Sequence, residues 1–207
     1  MLDDVCKTAR KVAEGGARAS LEALGVERPE PYSHLSPEDR DLSVRLRARA
    51  RQLGDKRSPD GGHEIQHLTE EAGYEQWHRM LFARFLAENG LLIHPEHGVA
   101  VSLEECEELA EAEGASEGWE LAARYAGRML PEIFREGAPA LELELAPEHE
   151  QELEELLESL PGELFRASDA LGWVYQYWQS EKKDEVNQSE VKIGADELAP
   201  VTQLFTE

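Results

Sequence analysis

The chain has 207 residues, of which 41% are hydrophobic, and it carries a net charge of −23 at pH 7. This hydrophobic fraction is sufficient for one or two packed domains and excludes a wholly disordered protein. The charge is uneven, because residues 1–60 carry 12 Lys and Arg against 11 Asp and Glu, whereas the remaining residues carry 9 against 33. Such an acidic surface repels phosphates over most of its area, so any contact with nucleic acid must be local.

No stretch approaches the roughly 18 consecutive apolar residues of a membrane span, and residues 1–10 lack the apolar centre of a signal peptide. We therefore expect a cytoplasmic protein without a membrane partner. The two cysteines, Cys6 and Cys106, stand in unrelated contexts. They indicate neither a disulfide framework nor a Cys-rich zinc site.

Helical periodicity dominates the first quarter of the chain. Residues 2–24 place apolar side chains at helical spacing, and whether Gly15 and Gly16 interrupt this helix stays open. Ser36 is a good N-cap residue directly before a proline, and Gly54 is a typical stop. These signals predict a second helix between them.

The central part of the chain is predicted to form a loop, a long helix and a tight turn. Residues 55–62 contain two turn signals and are expected to be exposed. Residues 63–89 show apolar and aromatic side chains at steps of three and four, which predicts a long helix or two consecutive ones ending at Gly90. Short apolar runs in residues 91–101 flank a proline and a glycine, which favours a tight hairpin or an extended loop.

Two further helices are predicted beyond this turn. Ser102 begins a capping box and a helix to about Glu113, and Trp119 lies in another helix that Pro131 bends or breaks. Residues 141–145 alternate leucine with glutamate between two prolines. A short strand and extended chain both remain open for this segment.

The last predicted helices are an acidic one over residues 148–160 and an aromatic one from Ser168 to Asp184. The chain is thus expected to be mainly α, a multi-helix domain with at most a short hairpin. Turn signals divide it into three predicted domains. These are N-terminal helices with a basic stripe over residues 1–60, a helical core over 61–164, and an aromatic helix with a linker over 165–207.

One short motif suggests a metal. His63 to His67 spells His-Glu-Ile-Gln-His, the pattern in which two imidazoles one helical turn apart bind zinc and the glutamate acts as general base. His78 and Glu88 are candidate third ligands, but neither spacing is typical of a zinc protease. A zinc metallohydrolase is therefore a remote alternative, and we expect a polar helix start without a metal.

The C-terminal part of the chain resembles a known family. Residues 171–178 (LGWVYQYW), 180–184 (SEKKD) and 202–206 (TQLFT) are similar, in order and spacing, to the stretch that leads into the catalytic domain of PglX-like enzymes. These are the adenine-specific DNA methyltransferases of BREX phage-defence systems. A looser match covers residues 74–91, in which Arg-Phe and Glu-Asn-Gly end a core helix, as in that family and in type I modification subunits.

This resemblance implies that the chain is the helical N-terminal region of a site-specific adenine-N6 DNA methyltransferase of phage defence or restriction-modification. It implies an α/β methyltransferase domain beyond the chain, with S-adenosylmethionine as cofactor of the parent enzyme and with DNA and other defence-system subunits as partners. Phe205 and Thr206 match the family element at the cofactor pocket. The family's glycine-containing cofactor motif and its Asn-Pro-Pro-Tyr type motif are absent from the sequence, so we expect this chain alone to have no catalytic residues, no bound cofactor and no activity.

Without a catalytic half, the region would act by docking, since affinity for duplex DNA comes largely from cations that meet phosphates. The candidate DNA-binding residues form a basic stripe on the second helix and its following loop: Arg45, Arg47, Arg49, Arg51, Lys56 and Arg57. An alternative interpretation stays open, in which these arginines pair with carboxylates of the acidic remainder of the chain. A rival function is a free-standing acidic protein that binds other proteins or mimics DNA charge.

Overall fold

The computed structural model describes residues 2–135, 137–167 and 169–188, with side chains up to Gln179. These residues form helices joined by turns and contain no β-strand, which confirms the mainly α prediction. None of the helices in these ranges combines the length and the apolar character needed to cross a membrane. The helices are α1 Leu2–Ala23, α2 Pro37–Leu53, α3 Gln66–Glu88, α4 Leu103–Leu109, α5 Gly118–Met129, α6 Pro147–Glu158, α7 Gly162–Phe165 and α8 Ala170–Gln188.

Local capping signals determine the ends of α2 and the start of α4. The Ser36 hydroxyl accepts a hydrogen bond from the Asp39 backbone N–H, and Gly54 ends α2 in the left-handed region with a φ of 104°. Ser102 and Glu105 form a complete capping box at the start of α4. Each cap satisfies backbone groups that lack partners inside the helix, which is why these boundaries were predictable.

Glycines allow α1 to approach its neighbours closely, and α1 is not interrupted by Gly15 and Gly16. A Cβ on Gly16 would lie 3.0 Å from the His149 side chain of α6. A Cβ on Gly73 of α3 would lie only 2.9 Å from the Glu14 backbone nitrogen of α1. The glycines inside these helices therefore permit contacts that a larger residue would prevent.

The segments between the helices are turns and extended chain. The 91–101 turn is a tight hairpin with one antiparallel bridge between Ile93 and Ala100, and Gly98 adopts a positive φ of 65° within it. The helix α5 ends at Met129, directly before Leu130 and Pro131, so the proline breaks the helix rather than bending it. Residues 141 and 142 end a turn that begins at Ala138, and residues 143–145 have no regular secondary structure, so the described segment contains no strand.

The hydrophobic core consists of two clusters. The larger one joins side chains from α1, α2, α3, α6, α7 and α8, and so includes residues of all three predicted domains. Its largest fully buried members are Leu21, Leu46, Leu68, Trp77, Leu143, Leu153, Leu157, Leu160 and Phe165. The smaller cluster lies between α3, α4 and α5 around Leu92, Leu121 and Tyr125.

The described parts of α1 and α8 meet although they are far apart in sequence. The Trp178 ring is 3% exposed and stacks on Trp77, with ring centroids 6.1 Å apart. The Arg10 guanidinium donates a hydrogen bond of 2.9 Å to the Trp178 carbonyl. Helix α8 therefore packs against the hydrophobic core, and the hydrogen bond from Arg10 joins it to α1.

Candidate nucleic-acid interface

Two of the candidate DNA-binding arginines form ion pairs inside the chain. Arg45 donates to Asp41 on its own helix and, through both terminal nitrogens, to Glu142. Arg49 donates to Glu71 of α3, with 2.9 Å from Nε to the nearer carboxylate oxygen. The hydrogen bonds that the two guanidinium groups donate to Glu142 and Glu71 raise their pKa. The pairs with Glu142 and Glu71 agree with the alternative interpretation, in which arginines of the basic stripe bind carboxylates of the acidic part of the chain.

A third arginine of the stripe lies inside the protein. Arg47 is 9% exposed and donates hydrogen bonds to three backbone carbonyls, those of Gly25 at 2.7 Å, Val26 at 3.2 Å and Pro29 at 3.3 Å. Burial lowers the pKa of its guanidinium. Arg47 thereby closes the connection between α1 and α2, a role that the sequence pattern did not distinguish from surface exposure.

The remaining three cations, Arg51, Lys56 and Arg57, form what we call the basic patch. All three are exposed, and the part of the chain that the structure describes shows no ion pair for any of them. Burial, followed by the positive charges of Arg47, Arg51 and Arg57, lowers the pKa of His63. Arg51 and Arg57 of the basic patch therefore both lie near the His63 ring.

A buried carboxylate holds the loop that carries the basic patch. Asp55 is 4% exposed and accepts hydrogen bonds of 3.0 Å from the backbone N–H groups of His67 and Leu68. It thus caps α3, which has no side-chain cap from its own N-cap residue. The sequence predicted that residues 55–62 are exposed and did not predict this cap. The only sequence signal for it is an acidic residue, Asp55, directly after Gly54.

The His-Glu-Ile-Gln-His motif does not have the helical geometry that zinc binding requires. The helix α3 begins at Gln66, three residues later than predicted, so His63 and Glu64 precede it. His63 instead pairs with Arg57 in an isolated antiparallel bridge. Among the described residues no group of three or more His, Cys, Asp and Glu side chains is arranged to hold a metal ion.

Residues 84 and 89, within the segment of the looser resemblance, connect the end of α3 to α6 and α7. Arg84 is buried, donates to the carbonyls of Leu157 and Leu160, and lies over the ring of Phe165. The Asn89 amide donates a 3.0 Å hydrogen bond to the Phe165 carbonyl. These side chains fix the C-terminal end of α3 against the turn that leads towards α8.

The cofactor-binding candidates Phe205 and Thr206 lie outside the described residues. The same is true of residues 202–206 as a whole, whereas residues 171–178 lie in α8. Of the aromatic side chains in α8, Trp178 packs into the core and Trp173 is 41% exposed. Of the segments that carry the closer resemblance, residues 171–178 are therefore among those that the structure describes, and residues 202–206 are not.

A cleft with the opposite charge lies between α5 and α6. It has a volume of about 550 Å³ and is lined by Glu117, Glu150 and Glu154, among others, with Arg79 beside them. Burial and the charge and hydrogen bond of Glu117 raise the pKa of Glu154 to about 8. Burial, followed by the charge of Glu117, also raises the pKa of Glu150. Burial and neighbouring carboxylates thus both favour the protonated form of these two groups.

Comparison with known proteins does not assign the chain to a family. It matches no protein-family model, and a search of curated proteins finds no significantly similar sequence. The function is therefore argued from the residues and their geometry.

Proposed function

We propose that this chain is the helical N-terminal docking region of a PglX-like adenine-specific DNA methyltransferase of the BREX phage-defence type. The observation that supports this proposal is the seating of α8. Residues 171–178, which carry the closer resemblance, belong to a helix whose Trp178 is buried against Trp77 and Arg10. A helix held in this way fixes the orientation of the helical body relative to a domain that follows it.

Within this proposal the basic patch contacts the DNA backbone. Phosphate contacts set the position and orientation of a protein on the duplex without reading its sequence. The acidic remainder of the chain repels the duplex, so a patch of three exposed cations restricts contact to one face. The helical region then positions DNA, while methyl transfer from S-adenosylmethionine belongs to the catalytic domain of the parent enzyme. Phe205 and Thr206 are proposed to contact S-adenosylmethionine in the parent enzyme.

The DNA contact is tested with a variant in which Arg51, Lys56 and Arg57 are all changed to Gln. Binding of a short DNA duplex to the 207-residue chain is measured by fluorescence anisotropy at several salt concentrations. Each lost phosphate contact lowers the slope of log affinity against log salt by about 0.9. We therefore expect the triple variant to bind about ten-fold more weakly at low salt and to lose most of its salt dependence.

A matched control removes the same charge from another part of the surface. Lys11, Arg128 and Arg135 are exposed and lie outside the basic patch. Changing all three to Gln alters the net charge equally, and we expect the salt slope to stay unchanged. Equal losses in the two triple variants would show that only net charge matters and would overturn the patch as a DNA contact.

The parent enzyme is tested by the coding sequence after the codon for Glu207. An open frame that continues into a glycine-containing strand-turn and an Asn-Pro-Pro-Tyr type tetrapeptide supports the proposal, because that motif grips the flipped adenine. An immediate stop codon contradicts it.

A second candidate function is a free-standing acidic protein that binds basic partners. The specific observation in its favour is the charge of residues 61–207, which carry 33 acidic against 9 basic side chains. It predicts that the chain competes with DNA for a basic protein instead of binding DNA itself. The anisotropy experiment separates the two candidates, since an acidic mimic gives no binding of the duplex at any salt concentration.

A further inference from the structure

An open groove lies beside the C-terminal end of α1. It runs between the end of α1, the first half of α2 and residues 142–146, which we call the 142–146 segment, and its volume is about 930 Å³. Its apolar lining comes from all three elements: Ala19, Ala23, Leu24, Leu42, Leu143 and Leu145. The two alanines are exposed, and Leu24 and Leu42 are half-buried, so apolar surface remains accessible along the groove.

Carboxylates surround this apolar surface. Glu38, Asp41, Glu142 and Glu144 all line the groove and are exposed, whereas Arg45 is the one cation in the described lining. Arg45 is already engaged, because it binds Asp41 and Glu142. The rim therefore carries a net negative charge that the described side chains neutralise only in part.

The groove is held in shape by contacts on both sides. The two hydrogen bonds from Arg45 to Glu142 join α2 to the 142–146 segment, a geometry that a guanidinium and a carboxylate maintain well. Leu143 and Leu145 are buried in the main core and anchor the same segment from beneath. A binding surface that is formed before its partner arrives loses less entropy on association.

We propose that this groove binds a basic amphipathic segment of a partner protein. An amphipathic helix places an apolar face in a groove of this kind while its charged residues contact the rim. Carboxylates along the rim attract Lys and Arg, which increases the association rate and excludes acidic segments. The proposal does not depend on DNA binding, since none of the basic patch residues lines the groove.

Charge favours a basic partner over a second copy of this chain. In a two-fold symmetric dimer the same acidic rim would face itself, and like charges brought together in this way repel. Nucleic acid is disfavoured for the same reason. The groove is also open along its length, unlike the enclosed sites that bury most of a small ligand.

The test uses a synthetic helical peptide that carries leucine at helical spacing on one face and lysine on the other. Its binding to the full 207-residue chain is followed by fluorescence anisotropy. We expect saturable binding that weakens with salt, because exposed charges are screened. A peptide with glutamate in place of lysine, and one with serine in place of leucine, are expected to bind at least ten-fold more weakly.

Variants then place the peptide in the groove. Ala23→Lys puts a long cationic side chain into the groove from an exposed position and should weaken binding by about ten-fold or more. The double variant Glu38→Gln with Glu144→Gln removes rim charge and should weaken it about three- to ten-fold. The control Glu108→Gln with Glu111→Gln removes two exposed carboxylates outside the groove and should change affinity less than two-fold.

Three results would overturn the proposal. One is the absence of peptide binding, and another is an equal loss of affinity in the rim and control double variants, which indicates unspecific attraction to an acidic protein. The third is a dimer in sedimentation that Ala23→Lys dissociates, because the occupant of the groove is then a second copy. Far-UV circular dichroism and thermal unfolding of each variant show whether it is folded before its affinity is compared.

Discussion

Arg47 and Arg51 lie one helical turn apart on α2 and have opposite surroundings. Arg47 donates all its described hydrogen bonds to backbone carbonyls of the connection between α1 and α2. Arg51 is exposed in the last turn of the helix, where a cation complements the negative end of the helix dipole. The first therefore contributes to stability, and the second is available for binding.

We predict that Arg47→Ala lowers the free energy of unfolding by about 2–3 kcal/mol, because the carbonyls of Gly25 and Val26 lose a charged donor in a buried position. Arg51→Ala is the matched control and should change it by no more than about 0.5 kcal/mol. Urea unfolding followed by circular dichroism measures both values. Similar values for the two variants would contradict the structural role of Arg47.

The raised pKa of Glu154 makes the stability of the chain depend on pH. Its pKa is raised from an ordinary value of 4.5 to about 8, first by burial and then by the charge of Glu117. Between these two values the folded chain holds a proton that the unfolded chain releases. The stability contributed by this group is therefore complete below pH 4.5 and is lost as the pH rises through about 8.

We accordingly expect the free energy of unfolding to fall as the pH is raised from about 5 to about 9, and we expect Glu154→Gln to reduce this fall. Glu152→Gln changes an exposed carboxylate on the same helix and should leave the pH profile as it is. Urea unfolding at a series of pH values provides the comparison. An unaltered profile in Glu154→Gln would show that its carboxyl is ionised in the folded chain at neutral pH.

At the level of elements, the crossing of α1 and α3 depends on a glycine. A Cβ on Gly73 would lie 2.9 Å from the Glu14 nitrogen and 3.1 Å from the Ala13 carbonyl carbon, both of which are backbone atoms. Backbone cannot move aside as the end of a side chain can. In contrast, a Cβ on Gly15 would meet only the His149 ring at 4.0 Å, which is ordinary contact.

Gly73→Ala and Gly15→Ala therefore form a matched pair. Both replacements favour a helix interior by about 0.5–1 kcal/mol, so any difference between them reports the helix contact. We expect Gly15→Ala to raise the free energy of unfolding by about that amount, and Gly73→Ala to lower it by about 1–3 kcal/mol through overpacking. Thermal unfolding decides the sign, and stabilisation by both would refute the close approach.

The elements that the sequence predicted well are those whose boundaries are local. Ser36 and Gly54 act within a few residues of the helix that they delimit, as does Ser102. The start of α3 was predicted three residues too early because its cap is Asp55, which reaches His67 and Leu68 from the preceding loop. Sequence periodicity does not reveal a cap that acts across a loop.

The candidate site was predictable only in outline for the same reason. The basic stripe follows from spacing along one helix, but its availability depends on partners far away in sequence. Glu142, which binds Arg45, is 97 residues distant, and Glu71, which binds Arg49, is 22 residues distant. Such pairs are set by the packing of α2 against α3 and the 142–146 segment, which a single sequence does not specify.

For the whole molecule, side chains from all three predicted domains contribute to one hydrophobic cluster. Turn signals such as Pro161-Gly162 and residues 55–62 suggested the boundaries. In the structure the same signals mark turns between helices that contribute to one hydrophobic cluster, which includes Cys6 of α1 and Trp178 of α8. A turn and a domain linker have similar composition, so the sequence alone does not separate them.

A single cooperative core makes a definite prediction for unfolding. Tryptophan fluorescence and far-UV circular dichroism should give coincident urea transitions, because small cooperative domains unfold in one step. Trp178→Ala removes a buried ring that stacks on Trp77 and should lower the free energy of unfolding by about 3–5 kcal/mol. The urea midpoints of both signals should then fall together. Trp173→Ala removes a ring that is 41% exposed and should cost much less. Separate domains would instead give two transitions, with Trp178→Ala affecting only one of them.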